Sequence, residues 1–377
     1  MAKQKRRGYR EGSIYQRKDG RWVAEITLEG GKRKTFYGKT RREVQERLLV
    51  ALNEQKQGTL ALGPQQTVKQ FLEYWLEDVH KPTIRPGTYR VYRTILDKHL
   101  LPSLGHLQIQ KLTPQHIQSF YARLLKEGCS PNRVRAIHQV LHRAFEHAVR
   151  VNLVGRNICD LVELPQPVRR EMQALSKEQA QQLLAAAHGH RLEVLLTVAV
   201  ATGMRSGELR SLRWKDIDFP TRSLHVRRSV SRIVGYGYVE GEPKTARSKR
   251  KIILPQFVID ALKQHRVQQL AAKLKAGAAW QDLDLVFCNY YGRFIDTSTL
   301  REQFIDLLDD AGLPHMRFHD LRHSAATILL SMGVHPKVVQ ELLGHSNITM
   351  TLNTYSHVLP SMQKDAMDKL DQWFGQA

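Results

Sequence analysis

The residues of this sequence whose types and spacing could do chemistry lie close together near its end. His319, Arg322, His345 and Tyr355 fall between positions 319 and 355. His319 and Arg322 are three apart, so a helix would place both on one face. Arginine and histidine donate hydrogen bonds to phosphate, and a tyrosine hydroxyl can attack a phosphorus atom. The stretch therefore indicates phosphoryl transfer.

A zinc site is the alternative for the same stretch. His319 and His323 are four apart, which is a zinc-ligand spacing on a helix. The metalloprotease pattern needs Glu directly after the first His, and Asp320 stands there instead. A second stretch far upstream, TGMRSGELRSLRW, carries Arg205 near its start. That arginine favours a phosphate ligand over a metal.

The order of these elements resembles a known family. The sequence shows TGMRSGEL, then Lys244, HDLRH, LGH and NTYSH. Tyrosine recombinases, the phage-integrase family of site-specific DNA recombinases, carry an Arg in T-G-x-R-x-x-E-L, a Lys on a β-hairpin, H-x-x-R, G-H or G-W, and a nucleophilic Tyr. Five separated elements agree in type, order and approximate spacing. The resemblance covers the chain from about Leu175 to its end.

The resemblance implies a role for each of these residues. It makes Tyr355 the nucleophile and Lys244 the general acid for the leaving 5′ oxygen. Lys249, Arg250 and Lys251 could rival Lys244, but they begin a strand. His319 is the candidate base, since an ordinary histidine pKa of about 6.5 is close to working pH. Arg205, Arg322 and His345 are expected to bind the phosphate. Glu208 is expected to orient the groups beside it.

A metal ion could stabilise the same charge, but the sequence favours phosphoryl transfer without a metal or a cofactor. A planar guanidinium makes two charge-assisted bonds to a phosphate under attack, and no acidic cluster in the sequence suggests a metal site. The resemblance implies a 3′-phosphotyrosine and a free 5′ hydroxyl, so religation needs no ATP. It also implies a homotetramer on DNA. Residues 364–376, with Met367, Leu370, Trp373 and Phe374, could dock on a neighbouring protomer or on their own domain.

Composition points to a polyanionic partner. The 377 residues include 58 Lys and Arg against 36 Asp and Glu, a net charge of +22. Such an excess favours double-stranded DNA over a membrane surface, since no segment approaches the roughly 20 apolar residues that a span requires. Cys129, Cys159 and Cys288 are scattered, as expected in a reducing bacterial cytoplasm. The basic N-terminus lacks the apolar region of a signal peptide.

Residues 1–60 are expected to form an arm-type DNA-binding domain. Alternating residues predict strands near Ser13–Arg17, Arg21–Leu28 and Lys32–Tyr37, with a turn at Asp19-Gly20. Thr40 and Glu43 predict a capping box that opens a helix. Three strands plus a helix resemble the arm-type domain of some integrases. The candidate DNA-reading residues are Arg17, Lys18, Arg21, Lys32 and Lys34.

Residues 66–165 are expected to form a helical core-binding domain. A linker precedes Thr67, where the first helix begins, and a second helix follows Pro86 to about Leu101. Thr113-Pro114 and Ser130-Pro131 each pair a cap with a first-turn proline, predicting two more helices. The candidate phosphate contacts are Lys81, Arg85, Arg90, Arg93, Arg133, Arg135 and Arg143.

Residues 172–377 are expected to form the catalytic domain, which makes the whole chain multidomain, mostly α with small β-sheets (α+β). Ser176 should cap a helix, and an apolar helix should end at Gly203. Strand regions are expected over Trp214–Arg228, Ile233–Glu240 and Lys249–Leu254, with Lys244 in the last intervening loop. Helices are expected near 256–275, 298–311 and 361–377, and around Ser324–Met332 and Pro336–Gly344.

The sequence favours the integrase of a mobile element. A type IB topoisomerase uses the same five groups, but those enzymes lack a small arm-type domain. A non-catalytic DNA-binding regulator would have the charge without the ordered catalytic residues. The target DNA sequences, the direction of recombination and any accessory DNA-bending or excisionase protein are not encoded in a readable pattern.

Overall fold

The computed structural model describes residues 12–27, 33–56, 65–168, 173–242 and 249–344, with helical positions 367, 368, 371 and 374. The chain divides into two compact units, Met1–Arg169 and Arg170–Ala377. Both are dominated by helices, with small antiparallel sheets, as expected. Among the described residues, no helix is long and apolar enough to cross a membrane.

The first unit begins with a three-stranded antiparallel sheet in the order β1-β2-β3. Its strands and the helix that follows are β1 Ser13–Gln16, β2 Trp22–Thr27, β3 Arg33–Gly38 and α1 Arg41–Lys56. Thr40 accepts from the amide of Glu43 at 3.2 Å, which caps α1 as predicted. Helix α1 covers one face of the sheet and encloses a small core around Ala24, Ile26 and Val44.

A helical module with its own core completes the first unit. Its α-helices are α2 Val68–Tyr74, α3 Pro86–Ile95, α4 Leu101–Leu104, α5 Pro114–Lys126 and α6 Pro131–Arg150. Thr67, Thr113 and Ser130 cap α2, α5 and α6, which confirms these three predicted starts.

Two predicted helices of this module change winding near their ends. The segments Trp75–His80 and Leu96–Leu100 are π-helical. A π turn takes an extra residue, so a pattern of period 3.6 does not predict it. The bulky side chain of Trp75 stacks on His80, with ring centroids 4.8 Å apart. Both π segments bury their apolar residues in the core of the module.

The second unit contains five short strands in its described residues. They form the sheet β4-β5-β8 and the hairpin β6-β7. Their bounds are β4 Ile217–Asp218, β5 Ser223–Val226, β6 Ser229–Ile233, β7 Gly237–Gly241 and β8 Arg250–Ile253. The region Ile233–Glu240 is thus a turn and a returning strand, because Gly235 and Gly237 both have positive φ and reverse the chain.

Helices enclose the core of the second unit. They are α7 Lys177–Ala186, α8 Glu193–Thr202, α9 Ser206–Arg210, α10 Gln256–Ala276, α11 Thr297–Asp310, α12 Asp320–Ser331 and α13 Pro336–Leu343. Gly203 and Gly344 end α8 and α13 in the left-handed conformation, as the sequence predicts. Of the expected C-terminal helix, only the four helical positions named above are described.

Candidate active site

Arg205 is presented by a sharp turn between two helices. Helix α8 ends at Gly203, and Arg205 is the N-cap residue of α9. Its Nη1 donates to Oε1 of Glu208 at 2.8 Å, and its backbone amide donates to Oε2 at 3.1 Å. About a third of the Arg205 side chain stays exposed (37%). The guanidinium is therefore both held by a carboxylate and accessible to a ligand.

Glu208 lies buried between two arginines. Its side chain is 1% exposed, and its Oε2 also accepts from Nη2 of Arg250 at 3.1 Å. Burial by itself would raise the pKa of Glu208, but the positive charges of Arg250 and Arg205 outweigh it and hold that pKa below its usual range. Glu208 is thus a charged carboxylate that bonds both the guanidinium and the backbone amide of Arg205.

Arg322 is bonded to the turn that carries Arg205. It lies in the first turns of α12, is 3% exposed, and donates from Nη1 to the carbonyl oxygen of Gly203 at 2.9 Å. A Cβ on Gly203 would lie 3.7 Å from Cγ of Arg322 and would overlap the Leu343 side chain. Helices α8, α12 and α13 therefore meet at a residue where any side chain would be strained.

His319 lies one turn before Arg322, as its spacing predicts. It is the N-cap residue of α12, and more than a third of its surface stays exposed. Burial lowers the pKa of His319, and the positive charges of His323 and Arg322 lower it further. The ring faces that of His323 edge-on, with centroids 5.6 Å apart. A histidine that is neutral at neutral pH can accept a proton, which suits a general base.

The start of α12 is fixed by an arginine and an aspartate. The buried Asp320 accepts from Nε and Nη2 of Arg317 at 3.1 and 2.8 Å, and from the Arg317 amide at 3.1 Å. An anion at a helix N-terminus also stabilises that end of the helix. His319 lines a cleft of about 620 Å³ beside Ser206, the first residue of α9. The structure thus brings Arg205, Glu208, His319 and Arg322 into one region.

Four sequence-predicted site residues lie outside the described residues. Lys244, His345 and Tyr355 are three of these, and Lys32 of the N-terminal set is the fourth. The described chain reaches Glu242 and Lys249 on either side of Lys244, and these two form an ion pair at 2.6 Å. It ends at Gly344, directly before His345.

Arg250 is a residue whose place in the site the sequence did not reveal. It begins β8, and its side chain is buried against Glu208 and the end of α13. The sequence feature that could have indicated a buried Arg250 is the alternation of β8, in which Arg250 and Ile252 point inward while Lys251 and Ile253 are exposed. A cation at an inward position of a strand requires a buried anion, and the sequence alone does not identify that partner.

The candidate DNA-reading residues of the N-terminal sheet do not all lie on one face. Lys34 is paired in register with Ile26, whose side chain packs under α1, so Lys34 shares the helix-covered face. Arg33 is on the opposite, open face with Tyr15 and Tyr37. Arg17, Lys18 and Arg21 are exposed around the β1–β2 turn. Arg33 is therefore an exposed cation of the open face that was not among the residues predicted to contact DNA.

The cations of the helical module differ in their surroundings. Lys81 pairs with Glu77 at 2.9 Å, and Arg93 pairs with Asp97 at 3.1 Å. Arg135 and Arg143 donate to the Pro165 carbonyl and the Tyr92 hydroxyl. The others are the exposed Arg85 and Arg90 and the half-buried Arg133.

The described part of the chain contains no group of three or more His, Cys, Asp and Glu side chains that could hold a metal ion. His319 and His323 have Arg322 and Arg317 as charged neighbours. Two cations beside these imidazoles disfavour a further cation.

Comparisons with known proteins cover most of the chain. A model described as Phage integrase family matches residues 173–362, and one described as Phage integrase, N-terminal SAM-like domain matches residues 67–125. The Tyrosine recombinase XerC-like protein of Caldanaerobacter subterraneus subsp. tengcongensis is 33% identical over 95% of this chain and 98% of its own. The ICEBs1 integrase of Bacillus subtilis is 28% identical, over 76% and 78%.

Solved structures share the fold. The Tn1549 transposon integrase in complex with transposon right end DNA matches with a TM-score of 0.69 and 23% identity, over 81% of this chain and 99% of that one. A lambda integrase tetramer bound to a Holliday junction matches with a TM-score of 0.55 and 20% identity, over 89% and 96%.

Proposed function

The chain belongs to the phage integrase family of site-specific DNA recombinases, and we propose that it cuts and rejoins mobile-element DNA through Tyr355. The observation that best supports this proposal is the arrangement of Arg205, Glu208 and Arg322. One arginine is held by a buried carboxylate, the other is bonded to the same turn, and His319 lies beside them. Two fixed guanidiniums suit the charge that develops on a phosphodiester under attack.

The proposed first step conserves bonds and protons. Oη of Tyr355 attacks the scissile phosphorus, and the bond between phosphorus and the 5′ oxygen breaks. The phenolic proton goes to His319, whose pKa is lowered by burial. The leaving 5′ oxygen takes a proton from Lys244, and His345 adds a third donor to the phosphate. The product is a 3′-phosphotyrosine and a 5′ hydroxyl. Rejoining reverses these steps without ATP.

The proposed domains are 1–60 for arm-type DNA, 66–165 for core-type DNA and 172–377 for catalysis. Separate hydrophobic cores under the N-terminal sheet and within the helical module support the first division. The change of compact unit after Arg169 supports the second. Matches to two different family models, over 67–125 and 173–362, agree with both.

The proposed partners are double-stranded DNA and further copies of this chain. Exchange between two duplexes needs four cleavages, and so four protomers. The lambda integrase tetramer on a Holliday junction supports that number. Accessory DNA-bending or excisionase proteins belong to the same proposal. We place the reaction in the bacterial cytoplasm, where free thiols such as those of Cys129, Cys159 and Cys288 stay reduced.

A nicked suicide substrate tests the nucleophile. Its cleaved strand loses the 5′-hydroxyl fragment by diffusion, so a covalent protein–DNA adduct accumulates. We expect the adduct with the wild-type protein and with Tyr291→Phe, an exposed tyrosine of the same unit. Tyr355→Phe should give none while binding the DNA equally well, because only the phenol oxygen is lost. An adduct that persists in Tyr355→Phe would move the nucleophile elsewhere.

A further inference from the structure

The Arg250 side chain joins three segments of the second unit. We propose that Arg250 is a positioning residue that keeps Arg205 and the end of α13 in their reactive places. It acts through Glu208 and the carbonyl oxygen of Leu342. This inference rests on the proposed function, since it assigns Arg250 to the same phosphate-binding site.

The contacts of Arg250 use two different atoms of its guanidinium. Nε donates to the carbonyl oxygen of Leu342 at 2.6 Å, and Nη2 donates to Oε2 of Glu208 at 3.1 Å. Only 7% of the side chain is exposed. A planar fork can hold two acceptors at a fixed separation, which the single charged point of a lysine cannot do. Strand β8 is thereby tied to both neighbouring helices.

The contact with Glu208 reaches Arg205. Oε2 of Glu208 accepts from Arg250 and from the Arg205 amide, while Oε1 accepts from Nη1 of Arg205. The carboxylate therefore lies in a row of alternating charge, between the buried cation of Arg250 and the partly exposed cation of Arg205. Without Arg250, Glu208 would have a single cationic partner and would draw that guanidinium toward itself.

The contact with Leu342 fixes the chain just before a second candidate ligand. Leu342 lies in the last turn of α13, three residues before His345, and its carbonyl is one of the orphan acceptors at a helix end. Arg250 satisfies that acceptor. It also follows Lys244 by six residues along the chain. One side chain thus connects β8 with α9 and with the end of α13.

The competing explanation is that Arg250 only stabilises the fold. The chain offers a matched control. Asp216 is a second buried carboxylate of this unit, with Arg228 at 2.7 Å and Arg227 at 3.7 Å. Arg228→Met removes one of two cations from a buried carboxylate, as Arg250→Met does. The cations paired with Asp216 are Arg228 and Arg227 and not Arg205, so the control separates stability from positioning.

The test is single-turnover cleavage of a suicide substrate at saturating protein, below the thermal midpoint of every variant. We expect Arg250→Met to slow cleavage at least tenfold, and up to about 100-fold, the loss that a misplacement of 1 Å can cause. The dissociation constant for core-site DNA should stay within about threefold, since so little of the Arg250 side chain is exposed for a contact with DNA. Arg228→Met should cleave within about twofold of wild type.

A double-mutant cycle then shows whether Arg250 acts through Glu208. In a Glu208→Gln background, Arg250→Met should slow cleavage less than it does in the wild-type protein, because the route through Glu208 is already lost and only the bond to Leu342 remains to be broken. Arg250→Lys, which keeps the charge but not the fork, should lie between Met and wild type, and it replaces Met in the cycle if Met does not fold.

The proposal would be overturned by losses that multiply in the double variant, by equal slowing in Arg228→Met, or by affinity that falls as much as cleavage. A wild-type protein that forms no adduct would instead refute the proposed function. Wild-type adduct together with wild-type rates in Arg250→Met would refute only the role of Arg250.

Discussion

Arg322 donates a hydrogen bond from Nη1 to the carbonyl oxygen of Gly203, 2.9 Å away, across 119 positions of the chain. Gly203 ends helix α8, and Arg205 follows two residues later. The two candidate phosphate-binding arginines are therefore connected through one turn of backbone. A change at that turn should disturb both of them.

Gly203→Ala should impair stability and cleavage together. Its φ of +60° is left-handed, which costs an L-residue roughly 1–2 kcal/mol. Overlap with Leu343 should add about 1–3 kcal/mol. Gly312→Ala is the matched control, because its φ is +63° but nothing lies within 4 Å of an added Cβ. Urea unfolding and suicide-substrate cleavage measure both effects. Equal losses in the two variants would contradict the packing argument.

Arg205→Ala and Arg322→Ala should each lose cleavage far more than affinity. Loss of a preorganised donor typically lowers the rate by roughly 10²–10³. Binding loses one of many phosphate contacts, so the dissociation constant should change by about threefold.

The two variants should differ in stability. Arg322→Ala leaves the Gly203 carbonyl without its donor inside the protein, which should lower the free energy of unfolding by about 1–3 kcal/mol. Single-turnover rates, gel-shift affinities and urea midpoints give the three numbers. If cleavage and affinity fell in equal proportion, both arginines would be ordinary DNA contacts.

Cleavage should rise with pH and level off near neutrality. The base must be neutral, and burial places the pKa of His319 below the ordinary value of about 6.5, so the midpoint of the rise should lie below that pH. His323→Gln is the control, because burial also lowers the pKa of His323. The acid limb should persist in His323→Gln and vanish in His319→Gln. An acid limb that is unchanged in His319→Gln would assign the base to another residue.

Cleavage should continue in excess EDTA. The positive charge that the transition state needs comes from Arg205 and Arg322, and His319 and His323 have arginine neighbours that would repel a cation. A magnesium-dependent restriction enzyme in the same tube would confirm that the chelator is effective. Activity that disappears with EDTA and returns with zinc would mean that the two histidines bind metal.

Residues 1–60 should bind DNA sites distinct from those bound by residues 66–377. The first segment has its own sheet, helix and core, and it carries 16 Lys and Arg against 7 Asp and Glu, a net charge of +9. A protein starting at Gln66 should therefore cleave core-site DNA but recombine poorly on full-length sites. Footprinting of both proteins on one attachment region decides this. Identical protection would mean that the small domain only strengthens core binding.

The two faces of the N-terminal sheet provide the control for that experiment. Arg33 lies on the open face and Lys34 on the face that α1 covers. Arg33→Ala should weaken binding to the arm-type sites and reduce the salt dependence of that binding. Lys34→Ala should leave the affinity and its salt dependence nearly unchanged. The opposite order would place DNA on the other side of the domain.

The sequence by itself determined the local structure and the order of the catalytic groups. Thr113, Ser130 and Ser176 start helices, and Gly203 and Gly344 end them, because caps and left-handed turns depend on residues only a few positions apart. The family motifs could be recognised for the same reason, because each consists of residues only a few positions apart. The two π-helical segments could not be predicted from a helical period of 3.6, because their winding accommodates buried residues such as Trp75 and Leu96.

Only the tertiary structure decided which of these groups touch. Nothing in the sequence pairs Arg322 with Gly203, or Glu208 with Arg250, because these contacts span 119 and 42 positions and depend on how helices and a strand pack. The sequence could not predict which face of the sheet carries Lys34 for the same reason. Alternation separates the two sides of a strand, but only the helix packed on one side determines which side is buried.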